Sequence, residues 1–133
     1  MFRLIYVSTA SETISNEDLE NVVAVAVDQN AKLSITGLLL FNGTNFMQVL
    51  EGGQSDVEGL YSRIVEDNRH VSVSTILTED TQTRVFHPWA MLFKNLPKDS
   101  PAQDARIDMA DVMALKMPDH MRKIIANFDS LQG

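Results

Sequence analysis

The order of hydrophobic periods along these 133 residues predicts an α+β fold. It is a ferredoxin-like βαββαββ sandwich whose five-stranded mixed sheet carries two helices on one face and C-terminal helices on the other. Three observations carry that expectation. Two segments with apolar residues at three- and four-residue steps lie between short β-branched and aromatic runs. An Asn42-Gly43 pair joins two such runs in the middle of the chain. Several runs are apolar on both sides, so one layer of helices cannot cover them.

The first strand is Arg3 to Ser8, closed by a polar Ser-Thr-Ala-Ser stretch, and it sets Leu4, Tyr6 and Ser8 on one face. Ser15 followed three residues later by Asp18 predicts a capping box with Asp in place of the usual Glu, and therefore a helix start. Along that helix Leu19, Val22, Val23, Ala26, Val27 and Asn30 share a stripe, which brings an amide onto the apolar face. Ile35 to Phe41 and Phe46 to Glu51 are the hairpin arms, joined across Asn42-Gly43 because both residues tolerate positive φ. Alternation sets Phe46, Gln48 and Leu50 of the second arm against Met47, Val49 and Glu51. After Gly52-Gly53, Ser55 and Glu58 predict a second capping box. Val57, Leu60, Tyr61, Ile64 and Val65 form the stripe of a helix ending near Asn68. Val71 to Thr78 reads as a fourth strand, and Trp89 to Phe93, entered through Pro88, as a short fifth.

Ile5 and Val7 oppose Leu4 and Tyr6, and Leu38 and Leu40 oppose Leu39 and Phe41, so the sheet needs a second cover. The tail supplies one. Ser100-Pro101 with Gln103, and Pro118-Asp119, open two short helices. The last has Met121, Ile124, Ile125, Phe128 and Leu131 on one face, and the one before it offers Ile107, Val112, Met113 and Leu115. The expected organisation is a core over residues 1–95 and a helical extension over 96–133 packed on the back of the sheet. No internal repeat, low-complexity tract or long linker interrupts it.

The length suits one domain, and a composition of 44% hydrophobic and 22% charged residues can bury a core unaided. With no Cys there is no disulfide framework, thiolate metal site or Cys nucleophile. His70, His87 and His120 lack metal-ligand spacing, so no metal is expected. A net charge of −7 disfavours binding to nucleic acid. The short apolar N-terminus does not read as a secretory signal. No run approaches the roughly 20 apolar residues of a membrane span, so the expected location is the cytoplasm with no membrane partner.

No P-loop, dinucleotide-binding glycine fingerprint or nucleophile elbow is present. What stands out is a set of polar residues on otherwise apolar positions: Tyr6, Asn30, Gln48, Arg63 and Asp67. Taken singly, Tyr6 is an ordinary strand core residue, Asn30 a helix C-cap, and Arg63 with Asp67 a surface i,i+4 ion pair. Gln48 resists such a reading, because a buried primary amide left unsatisfied costs roughly 1–3 kcal/mol.

The segments Leu4-Ile5-Tyr6-Val7-Ser8, Ile35-Thr36-Gly37-Leu38-Leu39-Leu40, Phe46-Met47-Gln48-Val49-Leu50-Glu51-Gly52, Asp67-Asn68-Arg69-His70 and Trp89-Ala90-Met91 resemble, in order and spacing, those of BLUF domains, blue-light sensors that use flavin. The resemblance covers roughly residues 3–93. It implies a flavin, usually FAD with FMN or riboflavin as variants, held between the two helices. By the same resemblance Tyr6 is the photo-electron donor and Gln48 lies between its hydroxyl and the flavin edge. Asn30 hydrogen-bonds the pyrimidine edge of the ring, Arg63 and Asp67 line the outer edge and ribityl side, and Ile64 packs on the ring. Trp89 and Met91 are the family's mobile pair beside Gln48. Gln29 and Ser34 depart from the family pattern, Ser34 standing where a Gly is common.

The function expected is a reversible photosensor of short stand-alone type, not a turnover enzyme. Its expected partners are the flavin, a downstream signalling protein and further copies of the chain. Two other classes are open to the residues alone: a small acylphosphatase-type hydrolase using Asn30 and an Arg, and an interaction module without photoactivity in which Gln48 and Asn30 are satisfied by protein groups.

Overall fold

Alternation along the strands sets the layers. The computed structural model describes residues 1–11, 14–87, 92–93 and 108–129. Its elements are β1 (Phe2–Ala10), α1 (Asn16–Lys32), β2 (Thr36–Phe41), β3 (Asn45–Gly52), α2 (Gln54–Glu66), β4 (His70–Asp80), β5 (Leu92–Phe93), α3 (Met109–Ala114) and α4 (Asp119–Asp129). The strand order is β4-β1-β3-β2-β5. The first four strands are antiparallel, and the two residues of β5 pair parallel to Leu38 and Leu39 of β2. Trp89 to Met91, the first part of the expected fifth strand, and Pro88 before it lie outside the described residues, as does the expected helix start at Ser100-Pro101.

On one face Leu4, Tyr6, Leu39, Phe46 and Leu50 pack under Leu19, Val22 and Val23 of α1 and Val57 and Leu60 of α2. Each such aliphatic side chain contributes about 1.5–3 kcal/mol by leaving water. On the other face Ile5, Leu38, Leu40, Met47 and Val49 meet Phe86, Val112, Met121, Ile125 and Phe128, so residues of α3 and α4 form a second core behind the sheet. Pro118 opens α4, its carbonyl accepting from Arg122 N at 3.1 Å. Ile107 and Leu131, expected on these helix faces, lie outside the described residues.

Specific hydrogen bonds close both ends of α1. Ser15 Oγ accepts from Asp18 N and Asp18 Oδ2 accepts from Ser15 N, each at 3.1 Å, which is the capping box the sequence predicts. At the other end Ile35 N donates to Asn30 O at 2.8 Å and Ser34 N to Ala31 O at 3.3 Å, the two bonds of a Schellman motif. Its left-handed residue is Ser34, at φ 55, where a glycine is the usual choice.

The start of α2 differs from the expected Ser55–Glu58 box. Gly53 is the N-cap and no side chain caps the helix. Gly53 leaves β3 already extended and its carbonyl accepts from Val57 N at 2.9 Å, so the helix begins earlier and Ser55 sits in its first turn. The helix ends at Glu66, which leaves Asp67 as its C-cap and not a helical partner of Arg63. At the sheet edge, β4 shows register shifts against β1, and Ser72 adopts φ 52 within them.

Candidate functional site

The register of β1 against β3 puts Tyr6 directly opposite Gln48, both on the helix-covered face. Tyr6 is fully buried, and its hydroxyl donates to Gln48 Oε1. Burial pushes the phenol pKa well above its usual value, with the nearby Tyr61 and Asp67 adding to it. The hydroxyl therefore keeps its proton and acts as a donor.

Gln48 in turn lines a half-open cleft between α1 and α2, about 420 Å³ including its mouth. Its walls are apolar, from Val22, Val25 and Ala26 of α1 and Leu60 and Ile64 of α2. Its polar groups are two amides from the core side, Gln48 and Asn30, with Gln29, Asp67, Arg69 and His70 around them. Asn30 is fully buried. The Schellman turn holds the Asn30 carbonyl, which fixes the backbone from which its amide projects.

The described residues of the predicted site divide into two groups. Gln48, Asn30, Ile64 and Asp67 share the cleft, with Tyr6 behind Gln48. Arg63 is exposed and is not among the cleft-lining residues; its guanidinium instead bridges to Gln29 Oε1 at 3.2 Å. Nor does Arg63 pair with Asp67, whose partner is Arg69. Asp67 Oδ1 accepts from Arg69 N at 2.9 Å and Nε at 3.0 Å, and its Oδ2 accepts from Nη2 at 2.6 Å. The Arg69 hydrogen bonds hold the Asp67 carboxyl below its usual range despite partial burial, and the same pair raises Arg69. Trp89 and Met91 lie outside the described residues.

Arg69 and His70 are cleft residues to which the sequence pattern assigned no role. Their signal was the Asp67-Asn68-Arg69-His70 segment itself, since a two-residue tether lets an Asp accept from both the backbone and the side chain of the Arg. His70 Nδ1 is 2.9 Å from Ser8 Oγ, and its ring sits 4.7 Å from Phe46 and 6.2 Å from Tyr6 between centroids. Burial lowers its pKa, with Asp67 opposing and Arg69 assisting that shift, so the ring favours the neutral form.

A family model described as "Sensors of blue-light using FAD" matches residues 1–92. The chain belongs to the BLUF family. BLUF domains are flavin-binding blue-light photoreceptors that relay a signal to partner domains, and the hydrolase and inert-module alternatives find no support. Subunit beta of the photoactivated adenylate cyclase of Euglena gracilis is 41% identical over 83 residues, 62% of this chain and 10% of that protein. The blue light- and temperature-regulated antirepressor BluF of Escherichia coli (strain K12) is 35% identical over 83 residues, 62% of this chain and 21% of that one. The structure of Klebsiella pneumoniae BlrP1 in its manganese and cyclic diGMP complex at pH 6 superposes with a TM-score of 0.77 at 32% identity. That match covers 96% of this chain and 32% of BlrP1. This BLUF chain thus spans only a small part of these relatives' lengths.

The cleft suits the group that BLUF domains carry. A planar heteroaromatic ring has apolar faces and polar edges, and this cleft offers aliphatic walls with two buried amides where the edges would meet it.

Proposed function

We propose that this chain binds FAD non-covalently in the cleft between α1 and α2 and works as a reversible blue-light sensor, not as a turnover enzyme. The observation that carries the reading is the chain of contacts from the buried Tyr6 hydroxyl to Gln48, and from Gln48 to the cleft. When bound and excited by blue light, flavin supplies a strong oxidant. Asn30, Asp67 and Ile64, with Arg69 and His70 beside them in the cleft lining, would hold the flavin. Arg63 keeps α1 and α2 together through Gln29 at the mouth.

Tyr6 would give up an electron to the bound, excited flavin and pass its hydroxyl proton to Gln48 Oε1, the acceptor it already faces, both returning to Tyr6 as the dark state recovers. Gln48 can exchange donor and acceptor towards the cleft by rotation or tautomerism, which changes the hydrogen bond offered there without moving the fold. That change is the signalling state. Trp89 and Met91 pass it on, residues 1–95 being the sensor core and 96–133 the extension behind the sheet. The output is contact with a separate signalling protein in the cytoplasm, the chain acting as a homo-oligomer. Among the described residues no helix is long and apolar enough to cross a membrane.

The test is the colour and dark-minus-lit spectrum of the purified protein. It should be yellow, release intact FAD on denaturation, and show a red shift under blue light that reverses in the dark. A colourless protein that takes up neither FAD, FMN nor riboflavin would refute the proposal.

A further inference from the structure

The two strands that carry the Tyr6–Gln48 pair carry a second polar pair on their other face. In the β1–β3 register Arg3 stands opposite Glu51, three residues from Tyr6 and Gln48 respectively, and an odd offset turns a side chain to the opposite side of a sheet. Arg3 is 2% exposed and Glu51 0%. The Glu51 carboxylate collects five donors. Oε2 accepts from Arg3 Nε at 3.4 Å, Arg3 Nη2 at 3.3 Å and Val85 N at 2.8 Å. Oε1 accepts from Thr36 Oγ1 at 3.1 Å and Phe86 N at 3.0 Å. One side chain therefore binds β1, β2 and the segment after β4. Phe86, whose amide is held in this way, is fully buried among residues of α3 and α4.

Stability is a poor reason for such an arrangement, because apolar residues of similar volume commonly serve a core as well as a buried ion pair does. What a carboxylate with fixed donors does supply is direction: a change in the spacing of β1 and β3 alters its bonds to Val85 and Phe86 on the far side. We propose that Glu51 is a positioning residue that carries the state of Gln48 through the sheet to the 85–86 segment and the helices packed on it. Rearrangement of the Tyr6–Gln48 contact moves β3 against β1, the Arg3–Glu51 pair moves with them, and the Val85 and Phe86 amides and α4 respond. This inference rests on the sensor reading above.

The experiment is hydrogen exchange of the flavin-loaded full chain, in the dark and under blue light, at Val85, Phe86 and the α4 amides. Wild type should show a lit-to-dark rate ratio of about threefold or more at Val85, Phe86 and the α4 amides whose side chains are buried, among them Met121 and Ile125. In Glu51→Gln the absorption red shift should persist while the ratio falls to one. A wild type with a normal red shift but no light-dependent exchange there, or a Glu51→Gln variant with the wild-type ratio, would overturn the inference. A wild type with no red shift fails at the sensor reading and removes this inference with it. Should Glu51→Gln not hold its fold, Thr36→Val takes its place. It deletes one donor to Glu51 and one acceptor of Arg84 Nη1, which keeps the Glu51 carbonyl at 3.1 Å, and it should lower the ratio; the wild-type ratio in that variant would be equally fatal.

Discussion

Tyr6→Phe separates the photochemistry from the packing. The substitution deletes one oxygen and leaves the ring, which lies 5.5 Å from Tyr61 between centroids in the helix-side core. What is lost is the hydroxyl that donates to Gln48 Oε1, with both side chains buried. A neutral hydrogen bond of this kind contributes about 1 kcal/mol net, and a desolvated acceptor deprived of a donor adds up to about as much again. The expected cost is therefore about 1–2 kcal/mol, read as a lower urea midpoint with an unchanged slope. Flavin should still bind, since Gln48, Asn30 and the cleft walls are untouched, but the red-shifted state should be absent and the excited-state lifetime longer. Gln48→Ala should also lack the red shift while keeping Tyr6 able to quench, so the two variants differ in lifetime. A normal dark-minus-lit spectrum in Tyr6→Phe would refute the assignment. A stability loss above about 4 kcal/mol would show that the hydroxyl anchors the core instead.

The same geometry sets further outcomes. Ser34→Gly should raise stability by about 0.5–1 kcal/mol, because it relieves a left-handed residue in the Schellman turn; an unchanged or lower urea midpoint would contradict this. Asn30→Ala should weaken flavin binding about fivefold to tenfold in equilibrium titration, and Arg63→Ala by less, since only Asn30 reaches the cleft; equal losses would return Arg63 to the ring. Stability should fall on the acid side. His70 binds a proton less readily folded than unfolded, so its contribution is complete above its ordinary value of 6.5 and declines as pH drops below it. Asp67, lowered by Arg69, adds a loss only below its ordinary 3.8. His70→Gln should therefore flatten the limb between pH 7 and 5 and leave the lower limb in place, as chemical denaturation across that range would read.

The sequence exposed the parts of the site that obey a period. Strand alternation and the Asn42-Gly43 turn fix the register of the hairpin, and helix periodicity turns Asn30 inward, so the placement of Gln48 and Asn30 was legible from spacing alone. What stayed hidden depends on backbone detail. Ser34 is not the glycine that marks a left-handed C-cap, so its own residue type gives no sign of the turn that holds Asn30, and only the Gly common there in the family pattern points to it. Ser55 and Glu58 match the capping box, yet the extended Gly53 begins α2 before them. Arg63 and Asp67 satisfy i,i+4 spacing only for a helix that continues, and this one stops at Glu66. Arg3 and Glu51 were legible in principle: alternation sends both to the side of Ile5, Met47 and Val49, where a charge needs a partner.

The register shifts at the β4 edge bear on what that edge can pair with. A strand added to β4 would require an even run of outward amides and carbonyls. The left-handed Ser72 and the irregular pairing with β1 twist that run out of line, although Val71 and Ile76 expose apolar surface on the same strand. An edge bent in this way templates neither fibril growth nor a continuous intermolecular sheet. A partner meeting this edge would therefore have to be held by side chains, in a contact that can be weak, reversible and sensitive to small shifts within the sheet.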